Sequence, residues 1–513
     1  MTNETLSATT RDDAPWAVLL TGAAGLLGVL CVSLAFHAAL GFDLSVFALG
    51  IPVLFAAVPV VSFLHPAACG YALAVLLPLQ HLLFGLYYTA YPSHLTIVKL
   101  LTGWKDLAAF AVLAAALLRG RLFDRAGRAW HVLILVYLAA VAGMVLRPGF
   151  APMGGIASAR SATIPFVILL AGVYAGLSRS TLRRLLSVFL VTALAIVLCG
   201  FAEWFFMDTA DFAALSGSLD IIGYKTAVYE TGQATHLYNL LHAWGFGGMR
   251  RMVSVFFSVI TLATWLTFAF CVLLACAQQR VLGRPLRNLI LAGATGVAIF
   301  LTAARLEIAM AFAIATYFTL TADFSRKVRY GLLGLLGVGL LVAVFGSALH
   351  TGIETTFSAG DASTQKHVES ILQAPVSLLG RGLGAGAQVF WRGESYSVGE
   401  GVYNRLMTET GVVGFGLFAA CYGAVLVALV RAAWKSWARS APPTTRALLS
   451  ATAVYAAVSV PSIFINMNVL STLATGFFWF LSGAALRLHA ERNDTASSRS
   501  MTGSGQESSH RDK

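Results

Sequence analysis

The chain has 513 residues, of which 58% are hydrophobic and 11% are charged, and its mean hydropathy is +0.77. This composition excludes a soluble globular protein and predicts a polytopic membrane protein. The net charge of +12 does not indicate nucleic-acid binding, because Lys and Arg form short clusters between apolar runs rather than a patch with interleaved aromatic residues.

The chain is expected to cross the membrane many times. Its N-terminus is polar and lacks the short apolar stretch and cleavage site of a signal peptide, so the first full span is expected to act as an internal signal anchor. A membrane-spanning helix needs about 20 apolar residues, and the predicted fold class is all-α, a polytopic transmembrane helical bundle of about 12–14 spans. Apolar runs of this kind begin near Trp16, Leu44, Ala67, Thr96, His131, Ser161, Arg184, Phe256, Leu286, Arg305, Tyr330, Glu409, Arg446 and Val469.

Hydropathy also divides the chain into segments. We expect a cytoplasmic N-terminus over 1–15, N-terminal transmembrane helices over 16–206, an outer loop over 207–255, transmembrane helices over 256–350, a large outer loop over 351–405, C-terminal transmembrane helices over 406–486, and a disordered cytoplasmic tail over 487–513. Within the large loop, the stretch HVESILQAPVSLL is predicted to form a short amphipathic helix at the membrane interface, with Val368, Ile371 and Leu372 on one face.

The orientation of the spans follows from the basic residues of the short loops. Cytoplasmic loops carry an excess of Lys and Arg. With the N-terminus inside, the even-numbered spans should end in basic loops, and they do: the clusters are Arg119, Arg121, Arg125 and Arg128; Arg179, Arg183 and Arg184; Arg280, Arg284 and Arg287; Arg326, Lys327 and Arg329; and Arg431, Lys435, Arg439 and Arg446.

Two charges interrupt the apolar stretch IFLTAARLEIAMAFAIATY, which covers 299–317. A charged side chain in bilayer hydrocarbon is costly, so it needs a partner or a function. The predicted topology places Arg305 at the outer end of its span, where LTAAR joins two helices almost without a loop. There Arg305 either faces an aqueous cavity or extends to the lipid headgroups and pairs locally. Glu307 lies deeper and still requires a partner.

Basic residues on the predicted outer side are informative, because the insertion bias of cytoplasmic loops does not explain them. The main ones are Arg250, Arg251, Arg305, Lys366, Arg381, Arg392 and Arg405.

The sequence predicts no cofactor. The six cysteines fall in apolar segments and show neither metal-ligand nor disulfide spacing. The glycine-rich stretch GRGLGAGA, 380–387, is followed by no Gly-Lys-Ser/Thr and preceded by no strand, so it is interpreted as a flexible turn rather than a phosphate-binding loop.

Four stretches, taken in order, resemble the family of O-antigen polymerases and O-antigen ligase-like membrane proteins. They are GGMRRMVSVFFSVITLATWL; FLTAARLEIAMAF, with a Thr-x-x-Arg helix start; STQKHVESILQAPVSLLGRGLGAGA; and GEGVYNRLMTETGVVGFGLF. The resemblance covers roughly 247–429. It depends on the order, the spacing and the sidedness of the four motifs together.

The resemblance implies a metal-independent, inverting glycosyltransferase with a helical fold of the glycosyltransferase type C kind. It implies polymerisation of undecaprenyl-diphosphate-linked oligosaccharides at the outer face of a bacterial cytoplasmic membrane, with a chain-length regulator and a flippase as partners. Guanidinium groups suit a diphosphate leaving group, and the candidates are Arg250, Arg251, Arg305 and Arg381. A base for the acceptor hydroxyl is also needed; the candidates are Glu400 and His367, with Glu394 and Glu409 as competitors for the role of Glu400.

Two alternatives remain open. In ligase-type members of the family a His stands just before the Asn-containing segment that closes the large loop, whereas this chain has Glu400 four residues before Asn404, which favours a polymerase over a ligase. The other alternative is a transporter or flippase of lipid-linked sugars. Its expected marks are two matching halves with broken helices near the midplane, and the sequence shows no such repeat.

Overall fold

The computed structural model of the protein describes residues 45–120, 129–146, 152–207, 242–243, 249–256, 258–322, 376–385, 401–438 and 441–503, together with single positions between 334 and 374. Its α-helices, numbered in chain order, are α1 Ser45–Leu64, α2 Ala67–Ala90, α3 Leu95–Leu101, α4 Trp104–Leu118, α5 Ala129–Val145, α6 Pro152–Tyr174, α7 Arg179–Phe206, α8 Val259–Gln279, α9 Pro285–Leu301, α10 Arg305–Leu320, α11 Val402–Ala438, α12 Pro443–Val458, α13 Ser462–Ile465 and α14 Thr472–Gly503. Short 3-10 turns cover Pro92–His94 and Ser254–Phe256, and the two-residue strands β1 His242–Ala243 and β2 Met249–Arg250 pair antiparallel.

The helices are long and apolar enough to cross a membrane. Six of those in the described part of the chain qualify by length and composition: Ala67–Ala90, Pro92–Leu118, Gly154–Tyr174, Arg179–Phe206, Val259–Gln279 and Val402–Trp437. Three shorter apolar helices accompany them. The protein is therefore a multi-pass helical membrane protein. Helices occupy the predicted span positions except those near Trp16 and Tyr330, which lie outside the described residues, so the expected total of about 12–14 spans stays a prediction.

Glycines bring α6 and α14 into close contact. A Cβ atom placed on Gly172 of α6 would lie 2.0 Å from the carbonyl oxygen of Phe480, and one placed on Gly483 of α14 would lie 2.0 Å from that of Leu169. Small residues at such crossings let helix backbones approach closely, which is how helices gain packing energy when lipid offers no hydrophobic driving force. The last helix is thus anchored in the middle of the bundle.

Aromatic side chains fill the centre of the bundle. Phe166 of α6 lies 5.8 Å from Phe418 of α11 and 5.5 Å from Trp479 of α14, measured between ring centroids. The outward surface is apolar as well, with Leu118 75% exposed and Val191 68% exposed. An exposed apolar surface of this kind is what lipid chains cover in a membrane protein.

The final helix extends beyond its predicted end. Segment 487–513 was expected to be a disordered tail, whereas α14 continues to Gly503, and 504–513 lie outside the described residues. The first polar residues remain helical because Arg487 donates to the carbonyl oxygen of Val173 at 3.3 Å and pairs with Glu491, one turn further along, at 2.8 Å.

Three helix ends lie near other predicted boundaries. α7 ends at Phe206, where the first outer loop was predicted to begin, and α10 begins at Arg305 after a link of only three residues. α11 begins at Val402, slightly before the predicted end of the large loop. Val368 of the predicted interfacial helix lies outside the described residues, while Ile371 and Leu372 are helical, with Leu372 79% exposed.

Candidate functional site

Polar and charged side chains gather at one end of the bundle, which we call the polar end. Hydrogen bonds between chain segments define it: the amide of Met252 donates to the carbonyl of Leu301 at 2.9 Å, and that of Val402 donates to the carbonyl of Asn466 at 3.4 Å. The polar end comprises the last turn of α7, the segment 250–256, the α9–α10 link, the starts of α4, α6 and α11, and the segment 466–471. The positive-inside pattern predicts that this end faces the outside.

A buried carboxylate holds the segment that precedes α8. Glu203, in the last turn of α7, accepts hydrogen bonds from the amides of Val253 and Ser254 at 3.1 and 2.9 Å, and pairs with Arg250 at 3.2 Å. Arg250 also donates to the carbonyl of Met207. The guanidinium of Arg250 is thus engaged in joining α7 to the segment before α8, a structural role that removes much of its hydrogen-bonding capacity.

Its neighbour Arg251 reaches the α9–α10 link. Nε of Arg251 donates to the carbonyl of Thr302 at 2.9 Å. Burial lowers the pKa of Arg251 to about 10, the negative charge of Glu307 opposes this shift, and the positive charge of Arg305 adds to it. Arg251 therefore stays charged at neutral pH and lies within electrostatic range of both other residues.

The α9–α10 link is tight and strained. Ala303 has a φ of +51°, in the left-handed region that residues with a Cβ rarely adopt, and the amide of Ala304 donates to Oγ1 of Thr302 at 3.3 Å. This turn presents the carbonyl of Thr302 to Arg251 and starts α10 at Arg305. Backbone strain of this kind persists only where the surroundings over-determine it, which marks the link as a candidate functional element.

Glu307 has the partners that the sequence required. Its Oε1 accepts hydrogen bonds from Oγ1 of Thr264 at 2.9 Å, from Nδ2 of Asn468 at 3.2 Å and from Nδ2 of Asn466 at 3.3 Å. The side chain is only 3% exposed. Neutral donors from α8 and from the segment before α14 thus compensate a buried carboxylate, with the charge of Arg251 close by.

The segment 466–471 joins Glu307 to a second ion pair. Met467, between the two asparagines, places its sulfur 3.8 Å from Nη1 of Arg405. Nε of Arg405 lies 3.5 Å from Oε1 of Glu409, and Nη2 donates to the hydroxyl of Ser158 at 2.8 Å. That hydroxyl in turn donates to Oε2 of Glu409. Among the described residues, Nη1 of Arg405 therefore contacts only the sulfur of Met467, which is a weak hydrogen-bond acceptor.

The glycine-rich turn packs against a break in α11. Gly411 has a φ of +67° and interrupts the helix. The amides of Arg381 and Gly382 donate to the carbonyls of Thr408 and Glu409 at 2.7 and 3.0 Å. A Cβ on Gly380 would lie 2.5 Å from the backbone of Glu409. The turn is thus a point of close backbone approach, and it holds the exposed Arg381 beside the Arg405–Glu409 pair.

A further charged group surrounds the break between α3 and α4. Asp106 pairs with Arg160 of α6, and both Lys105 and Arg160 donate to the carbonyl of Thr102, at 2.7 and 3.0 Å. Lys105 and Asp106 are 6% and 7% exposed. Arg160 stands two residues after Ser158 on α6, so this group lies at the same level of the bundle as the Arg405–Glu409 pair.

The predicted site residues are thus distributed as follows. Arg251 lies within electrostatic range of Arg305 and Glu307, Arg381 lies beside the start of α11, and Arg250 is engaged with Glu203 at the same end. Glu400, His367, Glu394, Lys366 and Arg392 lie outside the described residues, so the structure says nothing about their roles.

Sequence reasoning missed Ser158, Arg160, Asn466 and Asn468. The sequence position of Arg160 could have identified it, because it is a basic residue on the predicted outer side just before the span near Ser161. No sequence pattern distinguishes the two asparagines and Ser158, since short polar residues at the end of a span are common and their partners lie on other helices.

The fold and the polar end together define a multi-pass membrane protein with buried, mutually paired charges at one face. A comparison of the chain with protein-family models found no match, and a comparison with characterised proteins found none either. The resemblance to the O-antigen polymerase and ligase family therefore depends on the four motifs alone.

Proposed function

We propose that this protein is a glycosyltransferase that polymerises oligosaccharide units carried on undecaprenyl diphosphate, at the outer face of the cytoplasmic membrane. The observation that carries the proposal is the position of Arg251 at the polar end, where it is hydrogen-bonded to the α9–α10 link and lies within electrostatic range of Arg305 and Glu307. The charges of these two arginines exceed the single negative charge of Glu307, which leaves a net positive charge in a partly desolvated place. A multiply charged anion such as a diphosphate would complete this group.

The reaction requires little beyond positioning and charge stabilisation. The acceptor sugar hydroxyl attacks the anomeric carbon of the donor, a base takes the hydroxyl proton, and the carbon–oxygen bond to the diphosphate breaks. The leaving diphosphate keeps the electron pair, so negative charge grows on its oxygens. Arginines placed at that position stabilise the transition state more than the ground state, and Arg251 and Arg305 are assigned this role.

Arg405 is a second phosphate-binding candidate. Its Nε and Nη2 are oriented by Glu409 and Ser158, whereas Nη1 contacts only the sulfur of Met467 among the described residues. Glu409 is fully buried at 0% side-chain exposure, so we assign it to positioning Arg405 rather than to abstracting the proton. Glu400 and His367 remain the proposed bases.

A ligase would use the same donor chemistry and differ only in its acceptor. One observation favours the transporter alternative: two helices break beside buried charges, at Thr102–Gly103 before Lys105 and at Gly411 after Glu409. Transporter breaks lie near the bilayer midplane. Here α4 continues for 15 residues after its break, which is about 22 Å of helix and most of the hydrocarbon thickness. The break before α4 therefore lies close to one face, as expected for a surface reaction.

The test is a profile of lipid-linked and surface glycans in a deletion strain. The strain is complemented with wild type, Arg251→Ala, Arg305→Ala or Arg405→Ala, and with Arg119→Ala as a matched arginine control in a loop predicted to be cytoplasmic. We expect single repeat units to accumulate in the deletion strain and long chains to return with wild type and Arg119→Ala only. Loss of one charge-stabilising donor typically lowers such rates about 10²–10³-fold.

Other outcomes exclude parts of the proposal. Long carrier-linked polymer that never reaches its acceptor identifies a ligase. Repeat units that accumulate only on the cytoplasmic side identify a flippase. An unchanged glycan profile refutes the family assignment, and full activity of all three polar-end variants at normal expression refutes the assigned arginines.

A further inference from the structure

A polar cavity lies among helix ends on the side away from the polar end. It has a volume of about 340 Å³ and is lined by residues from the ends of α8, α10, α11 and α12, namely Gln278, Gln279, Arg280, Thr321, Trp437 and Arg446. We call it the inner-end pocket, since the positive-inside pattern predicts that these helix ends face the cytoplasm. None of the described residues that line it is acidic.

The pocket is built around a guanidinium whose Nε has no acceptor in the part of the chain that the structure describes. Cζ of Arg446 lies 5.6 Å from the ring centroid of Trp437, within the range of a cation–π contact. The indole nitrogen of Trp437 donates to the hydroxyl of Ser450 at 3.4 Å, which fixes the ring. Nε of Arg446 is buried and has no hydrogen-bond acceptor among the described residues. A buried N–H of a charged group without an acceptor costs free energy, and an anion in the pocket would accept a hydrogen bond from it.

The opposite wall supplies a second cation in an unusual backbone conformation. Arg280 ends α8 with a φ of +55° and a ψ of +40°, the left-handed conformation that residues with a Cβ seldom adopt. Its side chain is exposed. Nε2 of Gln278 donates to Oγ1 of Thr321 at 3.2 Å, which ties the end of α8 to the end of α10. Two arginines thus border one cavity, and a hydrogen bond within the Arg280 wall holds the ends of α8 and α10 together.

Positive-inside insertion explains why arginines occur at these helix ends, but not why two of them enclose a cavity. The adjoining chain is also basic, since Arg326, Lys327 and Arg329 follow Ala322 closely with Asp323 as the one acid between them. Trp434, one helical turn before Trp437, is 78% exposed. An exposed Trp at a helix end is typical of the lipid headgroup level.

We propose that the inner-end pocket binds a phosphate-bearing anion between Arg280 and Arg446, and that an anionic phospholipid headgroup of the cytoplasmic leaflet supplies it. Basic pockets between transmembrane helices on this side recognise such headgroups. The headgroup phosphate accepts hydrogen bonds from both guanidinium groups, and the polar side chains of Gln279 and Thr321 face the rest of the headgroup.

The test measures thermal stability of the purified full-length protein in detergent with added lipid. Phosphatidylglycerol is compared with zwitterionic phosphatidylcholine, and glycerol 3-phosphate serves as the soluble phosphate. We expect phosphatidylglycerol to raise the unfolding temperature of the wild type and phosphatidylcholine to have little effect. Arg280→Gln and Arg446→Gln should each raise the half-saturating concentration of phosphatidylglycerol at least about tenfold, since each removes a charge-assisted hydrogen bond.

Arg119→Gln is the matched control, because it removes an arginine from the same predicted face without touching the pocket and should respond as the wild type does. Arg280 is exposed, so Arg280→Gln is expected to fold even where Arg446→Gln does not. An undiminished response of Arg280→Gln, or no response of the wild type to any of the three additives, overturns the proposal. Stabilisation by glycerol 3-phosphate but not by phosphatidylglycerol overturns the lipid source and leaves a soluble ligand. No glycan is measured, so the outcome is independent of the proposed transferase activity.

Discussion

Replacement of Glu307 tests whether its carboxylate stabilises the protein mainly by accepting hydrogen bonds. Glu307→Ala removes the acceptor of three donors, of which Asn468 keeps a second partner in the hydroxyl of Thr264 at 2.6 Å. At least two donors, the buried hydroxyl of Thr264 and the half-buried amide of Asn466, then lose an acceptor, at a cost of about 1–3 kcal/mol each, and the half-buried Arg251 loses a compensating charge. We expect a total destabilisation of about 3–5 kcal/mol.

Glu307→Gln should separate the effect of the hydrogen-bond acceptor from the effect of the negative charge. The amide oxygen can take the place of Oε1 and keep the same donors, so we expect a loss of only about 1 kcal/mol. Glycan synthesis should still fail in this variant under the proposed function, because the balance of charge around Arg251 and Arg305 has changed.

The assay is thermal unfolding of the purified protein, followed by intrinsic tryptophan fluorescence. For a chain of this length a loss of about 3–5 kcal/mol corresponds to a decrease of a few degrees in the unfolding temperature. Glu491→Ala is the control, because it breaks a half-exposed pair with Arg487 on one helix, worth about 0.3–0.5 kcal/mol. Equal unfolding temperatures for Glu307→Ala and Glu491→Ala would refute the hydrogen-bonded role of Glu307.

Three further changes probe the polar end and the helix packing of the bundle. Glu203→Ala should destabilise the protein by about 3 kcal/mol or more, since it removes the acceptor of two buried backbone amides and the carboxylate that pairs with Arg250; Glu203→Gln should recover part of this loss in the same unfolding assay. Gly172→Ala should lower the unfolding temperature and the yield of folded protein, because its Cβ would meet a carbonyl oxygen at 2.0 Å, whereas Gly143→Ala, with open space at the Cβ position, should not. Gly411→Ala should be at least as damaging, because its φ is +67° and a Cβ would lie 2.4 Å from a backbone nitrogen; Gly416→Ala in the same helix has open space and should be neutral or slightly stabilising. If either glycine variant behaves like its control on unfolding, the corresponding close contact is not present in the protein.

The polar end also suggests how a hydrophobic chain holds charges without exposing them to lipid. Each described carboxylate there has donors from at least one other segment: Glu203 from the segment before α8, Glu307 from α8 and the segment before α14, and both Asp106 and Glu409 from α6. Such networks are stable only when nearly every member is satisfied. A change in one helix end is therefore expected to be transmitted to its neighbours through shared partners.

Much of the architecture could be predicted from the sequence. Apolar runs located the helices, because a span in a bilayer is defined by its own hydrophobicity and must satisfy its backbone hydrogen bonds internally. The short link before Arg305 was predicted for the same reason. The same local information identified Arg305 and Glu307 as charges that need partners. It did not identify the continuation of α14 beyond 486, which depends on an ion pair and on a contact with α6.

What only the tertiary structure decided is which polar residues meet. Ser158 and Glu409 are 251 positions apart in the chain, and Asn468 and Glu307 are 161 apart. Their contact depends on which helices are neighbours and on how each is rotated about its axis. Lipid chains are as apolar as the helices, so hydrophobicity does not select neighbours in a membrane; close packing at small residues and hydrogen bonds between helices do. The sequence by itself therefore determined a membrane bundle with charges at one face, and the packing of helices such as α6 against α14 determined the groups those charges form.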